Sequence, residues 1–338
     1  MTNKRVSSIT LTILTESPIA LSNDQGFGTY TPIKKFFYKN GKHAMTSVAT
    51  FTYELRKQLI LKDKLKPDDL VQKAKNIYFK DTDLEADIFG YLNPGSQQSK
   101  TSPIRIIPFI SVNTYENDTQ LITNRGFFDI SLGRTYYEEV KKKDSLEYKE
   151  LDVAQVKQTQ ALANEEVFGD YYIYTIILEL DRIGVKEINE KGERLSPDNR
   201  IYFDKDTRHK IIKDILDVIS KFTRTIKHET VHLEPLAVFG GIFEDVVPYF
   251  WNDIELEKKS NIINISHALN TIEDYDLEKE YHIISIGQKL KIKEDGRIQK
   301  VDDKGERAFN ISNRPIKEIR NLVDKLEIRD DHYWYIKG

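Results

Sequence analysis

The sequence predicts an α+β fold: a ferredoxin-like or RRM-like sheet in β-α-β-β-α-β order, interrupted by large insertions. Three observations carry this. Two near-continuous apolar runs, "SPIRIIPFISV" (102–112) and "YYIYTIILEL" (171–180), suit buried central strands. Two stretches, 46–61 and 204–222, place apolar residues at helical spacing. An alternating run opens the chain, and an apolar run, "LEPLAVFGGIF" (233–243), closes the set.

Taken in order, "MTNKRVSSITLTIL" has a basic start but alternates apolar and hydroxyl residues through Ile9, Leu11 and Ile13, and no small-residue cleavage site follows. It reads as a strand rather than a signal peptide. A long turn-rich loop follows, and then "TSVATFTYELRKQLI" sets Val48, Phe51, Leu55 and Leu59 on one face, with Thr46 or Ser47 as N-cap. Pro67 opens a predicted short helix at "KPDDLVQKAKNIYF". Between the apolar strands, residues 135–166 are too charged for a core and too long for an ordinary connector, so they read as an insertion. Asp204 caps the strongest helix, which buries Ile211, Ile215, Val218, Ile219 and Phe222. Beyond 244 the pattern gives a helix near 261–272, a strand at "EYHIISIG" and a helix started by Pro315. No internal repeat or second composition regime appears, so the 338 residues read as one elaborated domain.

Composition bounds the function. With 39% hydrophobic and 31% charged residues, the chain reads as a soluble protein, and no apolar run approaches the ~20 residues of a spanning helix. No cysteine is present, which excludes disulfides and thiol catalysis and, with the missing signal, points to the cytoplasm. No cofactor or metal is expected. The net charge of −3 is unevenly placed: between Asp24 and Glu54 there is no acidic residue, while Lys34, Lys35, Lys39 and Lys42 fall inside that window. Phe27, Tyr30, Phe36, Phe37 and Tyr38 interleave with them, a mixture suited to phosphates and base stacking, though a solvated basic loop has the same composition.

One catalytic motif demands a decision. "TIKHETVHLE" (225–234) contains His228-Glu229-Thr230-Val231-His232, the H-E-x-x-H spacing of zinc proteases, which needs both imidazoles on one helical face. Here the preceding helix runs out near Phe222, the stretch is rich in β-branched residues, and Pro235 ends any extension. In a strand the two histidines stand about 13 Å apart, too far to share a metal. The sequence therefore argues against a zinc site.

The order of elements and several local stretches resemble the backbone subunit of CRISPR Cascade complexes, the Cas-seven family, in its DevR-type, type I-B form. The stretches are the first strand with "SPIALSNDQG", "MTSVATFTYELRKQL", "DIFGYL" with "SPIRIIPFISV", and "YYIYTIILELDRIG" followed by the 204–222 helix and "IKHE". The family's glycine at the start of the first helix is absent, Met45-Thr46-Ser47-Val48 standing in its place. The resemblance implies a palm with finger-like elements at 63–125 and a thumb at 135–166. It also implies polymerisation of copies of the chain along a guide RNA (crRNA), pairing of that guide with target DNA, and contact with the large, capping backbone-end and repeat-processing subunits. A repeated subunit holds phosphates and leaves bases free to pair. Asn23, Lys34, Lys35, Lys42, His43, Ser47, Arg56, Lys227 and His228 are the candidate RNA contacts, joined by Arg105, whose charge is unexpected in an apolar strand.

On this reading no catalytic centre is expected. The alternatives are an RNA-processing ribonuclease of the same sheet type using His43 or His228, a target-cutting relative using Asp24, the zinc protease, and a binding module unrelated to CRISPR.

Overall fold

The computed structural model describes residues 4–22, 30–39, 41–68, 70–73, 76–79, 84–93, 98–123, 135–142, 145–152, 162–187, 189, 193–226, 229–278, 281–294, 297–300 and 311–337. The fold is mixed α+β, mostly strand with few helices. Its centre is a six-stranded sheet built from β1 (Ser8–Ser17), β2 (Ile104–Ser111), β3 (Asp170–Glu179), β4 (Ala237–Phe243), β5 (His282–Ile286) and β6 (Ile311–Ser312). The strands lie in the order β2-β3-β1-β4-β5-β6. Neighbours are antiparallel except the last pair. Among the described residues no helix is long and apolar enough to cross a membrane.

Alternation along the strands assigns each face a cover. Ile9, Leu11 and Ile13 of β1, with Tyr172, Tyr174 and Ile176 of β3, pack under helices α1 (Val48–Leu61) and α2 (Lys205–Ile219). Four rings lock this layer: Phe51 lies 5.3 Å from Phe109, 5.2 Å from Tyr174 and 4.8 Å from Phe222. Leu14, Ala237, Phe239 and Ile284 face the other way. They pack on Phe250, Ile254, Ile263, Ala268 and Ile292, a second layer contributed by residues 250–292. Coverage on both sides explains why β1 is buried at nine of its ten positions, including Thr12, whose hydroxyl bonds to that of Thr175 at 2.9 Å.

Several expectations are corrected. Where a helix was expected at 66–79, Leu70–Lys73 pairs with Asn76–Phe79 as a hairpin, in keeping with its β-branched and aromatic content. The helix expected near 261–272 is a strand, Ile262–Asn264, followed by a helix at Ser266–Asp274. β2 is an outer strand of the sheet, not a central one. It is apolar because other segments cover it: Met45 bridges Ile110, and Thr46 N donates to Phe109 O at 3.0 Å. The apolar run at 233–243 begins its strand only at Ala237.

Buried charges tie the segments to this frame. Lys100 pairs with Asp87 and donates to the carbonyls of Arg182 (3.0 Å) and Val185 (2.9 Å), while Gly184 N donates to Asp87 at 2.6 Å. Such a pair is satisfied only because its remaining valences are bonded too. Arg208, fully buried on α2, donates to the carbonyls of Leu180, Ile183 and His332.

Candidate nucleic-acid interface

The acid-free window folds into a hairpin that the sequence pattern missed. Lys35–Tyr38 pairs with Gly41–Ala44, turning through Lys39 with φ of 50°. Its backbone is fixed along β2 and the residues after it: Ala44 N donates to Ser111 Oγ (3.0 Å) and Tyr115 N to Lys42 O (2.7 Å). Alternation then separates the side chains. Phe37 and Lys42 stand opposite each other with the ammonium 5.7 Å from the ring centroid, and Phe37 is 76% exposed. Phe36, Tyr38 and His43 share the other face.

The candidate cations divide into committed and uncommitted groups. Lys34, Lys39 and Lys42 have no carboxylate partner among the described residues. Lys35 does: its ammonium lies 2.5 and 2.7 Å from the Glu166 oxygens and 4.2 Å over the Tyr115 ring. Arg56 sits 3.4 Å from Glu85 and over the Phe89 ring at 4.6 Å, joining α1 to the helix Leu84–Phe89. Arg105 is bonded to Glu179 of β3 at 2.5 Å, so its place in an apolar strand has a cross-strand explanation. Asn23, Asp24, Lys227 and His228 lie outside the described residues.

Beside Lys34 sits the start of α1. Ser47 is the N-cap, its Oγ accepting from Thr50 N at 3.1 Å, and the first turn contains no acid. A helix start of this kind offers unpaired amides and a partial positive charge to an anion. Lys34 O accepts from Met45 N at 2.9 Å, which holds the lysine backbone against this terminus.

A second hairpin completes the face. Thr223–Ile226 pairs with Glu229–His232, so the last four residues of the H-E-x-x-H stretch are strand, not the helical turn a zinc site requires. Arg224, which the sequence reading passed over, anchors it with Nε to Leu21 O (3.1 Å) and a guanidinium N–H to Glu54 (3.0 Å). Gln58 Nε2 donates to Thr223 O at 2.8 Å. The available signal was Glu54 and Gln58 on the buried face of α1, two polar groups needing partners. Leu21 thus holds this hairpin, while Ser22 O accepts from Lys34 N at 3.1 Å. The stem of the 23–29 segment therefore touches both hairpins.

The anchor opposite this stem titrates. Burial pushes the Glu166 carboxyl up, but hydrogen bonds from Lys35, Tyr30 and Ile33 N, with the Lys35 charge, outweigh it and hold it below its ordinary 4.5. An acid with a depressed folded pKa contributes stability above its unfolded value and loses it as pH falls through the folded one. Glu166→Gln should therefore lower stability at neutral pH, and the difference from the parent chain should shrink below pH 4.5 in paired denaturation curves.

Comparison with known proteins follows from this geometry. Residues 19–250, which include both hairpins, α1, α2 and strands β2 to β4, match the family described as CRISPR-associated negative auto-regulator DevR/Csa2. The chain belongs to the CRISPR-associated DevR/Csa2 family. The match stops at 250, so all of the second covering layer after Phe250 lies beyond it. No curated protein matches the chain. Among solved structures, a chain of a "CRISPR RNA-guided surveillance complex, pre-nicking" is similar over 94% of this chain and 99% of its own, with TM-score 0.51 at 9% identity. A chain of a "CRISPR RNA-guided surveillance complex" covers the same shares with TM-score 0.48 at 10% identity. Likeness of the first kind is likeness of fold.

Proposed function

We propose that this chain is a guide-RNA-binding backbone subunit of a type I-B Cascade complex, polymerising along crRNA and displaying it to target DNA in antiviral defence. The observation that carries the reading is an acid-free segment in which Lys34, Lys39 and Lys42 lack carboxylate partners among the described residues, and whose Lys34 backbone is bonded to Met45 just before the acid-free N-terminus of α1. Such a surface grips phosphates without reading bases. The family and the fold likeness to a surveillance-complex chain support the same assignment. The β2-β3-β1-β4 neighbour order, with α1 and α2 on one face, is that of an RRM-like palm and supports that finer description.

The 137–150 hairpin supports polymerisation. Tyr137–Lys142 pairs with Ser145–Glu150 and joins no other sheet among the described residues. Tyr137, Leu146 and Tyr148 fall on one face and are 58–67% exposed. An isolated two-stranded hairpin is marginal in water, and three exposed large apolar side chains set among Glu139, Lys141 and Glu150 on one face are suited to a neighbour. On this reading it is the thumb lying over the next copy, and the segments flanking β2 are finger-like. Replacing Tyr137, Leu146 and Tyr148 together by serine should leave the melting temperature within about 2 °C, since exposed sites contribute little. The same variant should abolish multi-copy assembly on RNA in sedimentation velocity.

His43 bears on the ribonuclease alternative. It is 6% exposed, with Nδ1 2.8 Å from Ser111 O, whereas an acid or base must reach the reacting phosphate. Incubation with repeat RNA tests the non-enzymatic reading; a defined product lost in His43→Gln or His228→Gln would replace it.

A further inference from the structure

A cleft of about 840 Å³ opens between α2, the helix Pro315–Asn321 and the segments 234–236 and 287–289. None of residues 30–48 lines it, and the proposed function does not use it. Leu236 and the rings of Pro235 and Pro315 are buried there, with Ile316 half-buried beside them, so part of the wall is apolar. Seven cations and four acids also line it, a local positive excess in a chain whose net charge is −3.

Most of those charges are already paired. Asp214 accepts from Lys64 at 2.9 Å and from Lys210 at 2.6 Å. Asp217 meets Lys64 and Lys221, each at 3.0 Å, and Arg320 at 3.2 Å, while Glu234 holds Lys289 at 2.6 Å. Lys213, Arg314 and Lys317 are left, all exposed and none with a carboxylate partner among the described residues. Against them stands one uncommitted acid, Asp324, which is exposed as well. Two walls supply the three cations: Lys213 stands on α2, and Arg314 and Lys317 at the start of the other helix. Gln288, Asn313 and Asn321 add neutral amides whose side chains have no partner among the described residues.

We propose that this cleft binds a compact polyphosphate, free or as the phosphate chain of a nucleoside triphosphate. The guanidinium fork of Arg314 matches two oxygens of one phosphate, and the two ammonium groups act as point charges on its neighbours. Three uncommitted cations less one uncommitted acid leave a net attraction for an anion. A volume of this size belongs to small-molecule sites, which run from about 300 to 1,000 Å³. A strand carries its charges one per nucleotide and is better served by cations in a row along a surface, whereas these three come from separate walls of one concavity. A nucleoside would rest on the apolar wall of Leu236, Pro235 and Pro315. None of this depends on the guide-RNA reading.

The full chain is titrated calorimetrically with sodium tripolyphosphate, ATP and AMP in metal-free, low-salt buffer. Lys213→Ala/Arg314→Ala/Lys317→Ala removes the uncommitted cations, and its melting curve verifies that it folds; Lys317→Glu alone serves if the triple replacement does not. Lys34→Glu/Lys42→Glu marks the guide-binding surface. The site is established if tripolyphosphate and ATP bind one to one and at least tenfold tighter than AMP, with binding weakened at least tenfold by the cleft replacements and unchanged in Lys34→Glu/Lys42→Glu. Within that result, ATP tighter than tripolyphosphate assigns the ligand to a nucleotide, and equal or weaker ATP binding assigns it to the phosphate chain alone. No saturable binding, AMP as tight as ATP, binding unchanged in the folded cleft variants, or binding lost equally in Lys34→Glu/Lys42→Glu overturns the proposal. So does guide RNA affinity that falls as far in the cleft variant as in Lys34→Glu/Lys42→Glu, which gives these cations to a strand. A parent chain that binds tripolyphosphate but no guide RNA would count against the proposed function alone.

Discussion

Lys34→Glu combined with Lys42→Glu is expected to weaken binding of single-stranded guide RNA by about 10- to 100-fold at moderate salt, and to flatten the log–log salt dependence by about 1.4. The two lysines qualify because neither has a carboxylate partner among the described residues, and both stand on backbone fixed by bonds to neighbouring segments. Reversal therefore removes phosphate contacts without breaking a fold contact. Lys35 is the control. Its ammonium already belongs to Glu166, so Lys35→Ala should unsettle the anchor of residues 30–35 and change the salt slope far less. Equal effects of the two replacements in filter-binding titrations across salt would mean that the charge partition described here does not govern binding.

Phe51→Ala should cost about 3–5 kcal/mol of folding stability, the range for removing a fully buried aromatic ring. Phe51 is 1% exposed and touches rings from β2, β3 and the residues following α2, so its cavity opens where both helices meet the sheet. α1 also carries the capped N-terminus that flanks Lys34. Loss of RNA affinity in this variant should consequently track unfolding, measured by denaturant titration, rather than the salt slope. A loss below about 1 kcal/mol would show that the site collapses around the deletion, against the packing described.

The central elements were legible because their burial is regular. Ile9, Leu11 and Ile13 alternate, α2 carries a clean apolar stripe behind Asp204, and Pro315 begins the late helix at its first position. What the sequence hid came from contacts distant along the chain. β2 looked central since its cover comes from residues 35–46 and from the 251–256 turn, neither of which announces where it docks. Glycine and turn residues around 17–43 masked a hairpin whose pairing depends on anchors at Ser111 and Tyr115. At 66–79, Pro67 suggested a helix start, and Val71, Ile77 and Tyr78 decided for strands.

The interface was partly legible for the same reason. An acid-free lysine window can be read directly, but which lysines keep their charge for a ligand depends on acids such as Glu166, Glu85 and Glu179, which lie between 29 and 131 positions away for the pairs with Lys35, Arg56 and Arg105. Arg224 was overlooked because nothing local marks an arginine that reaches Leu21 O.

Native mass spectrometry of the chain bound to guide RNAs of increasing length tests the central claim most directly. The account predicts that copies per RNA rise in even steps with length, and that the steps vanish in Lys34→Glu/Lys42→Glu. A single copy at every length, or cleavage of the RNA, would contradict it.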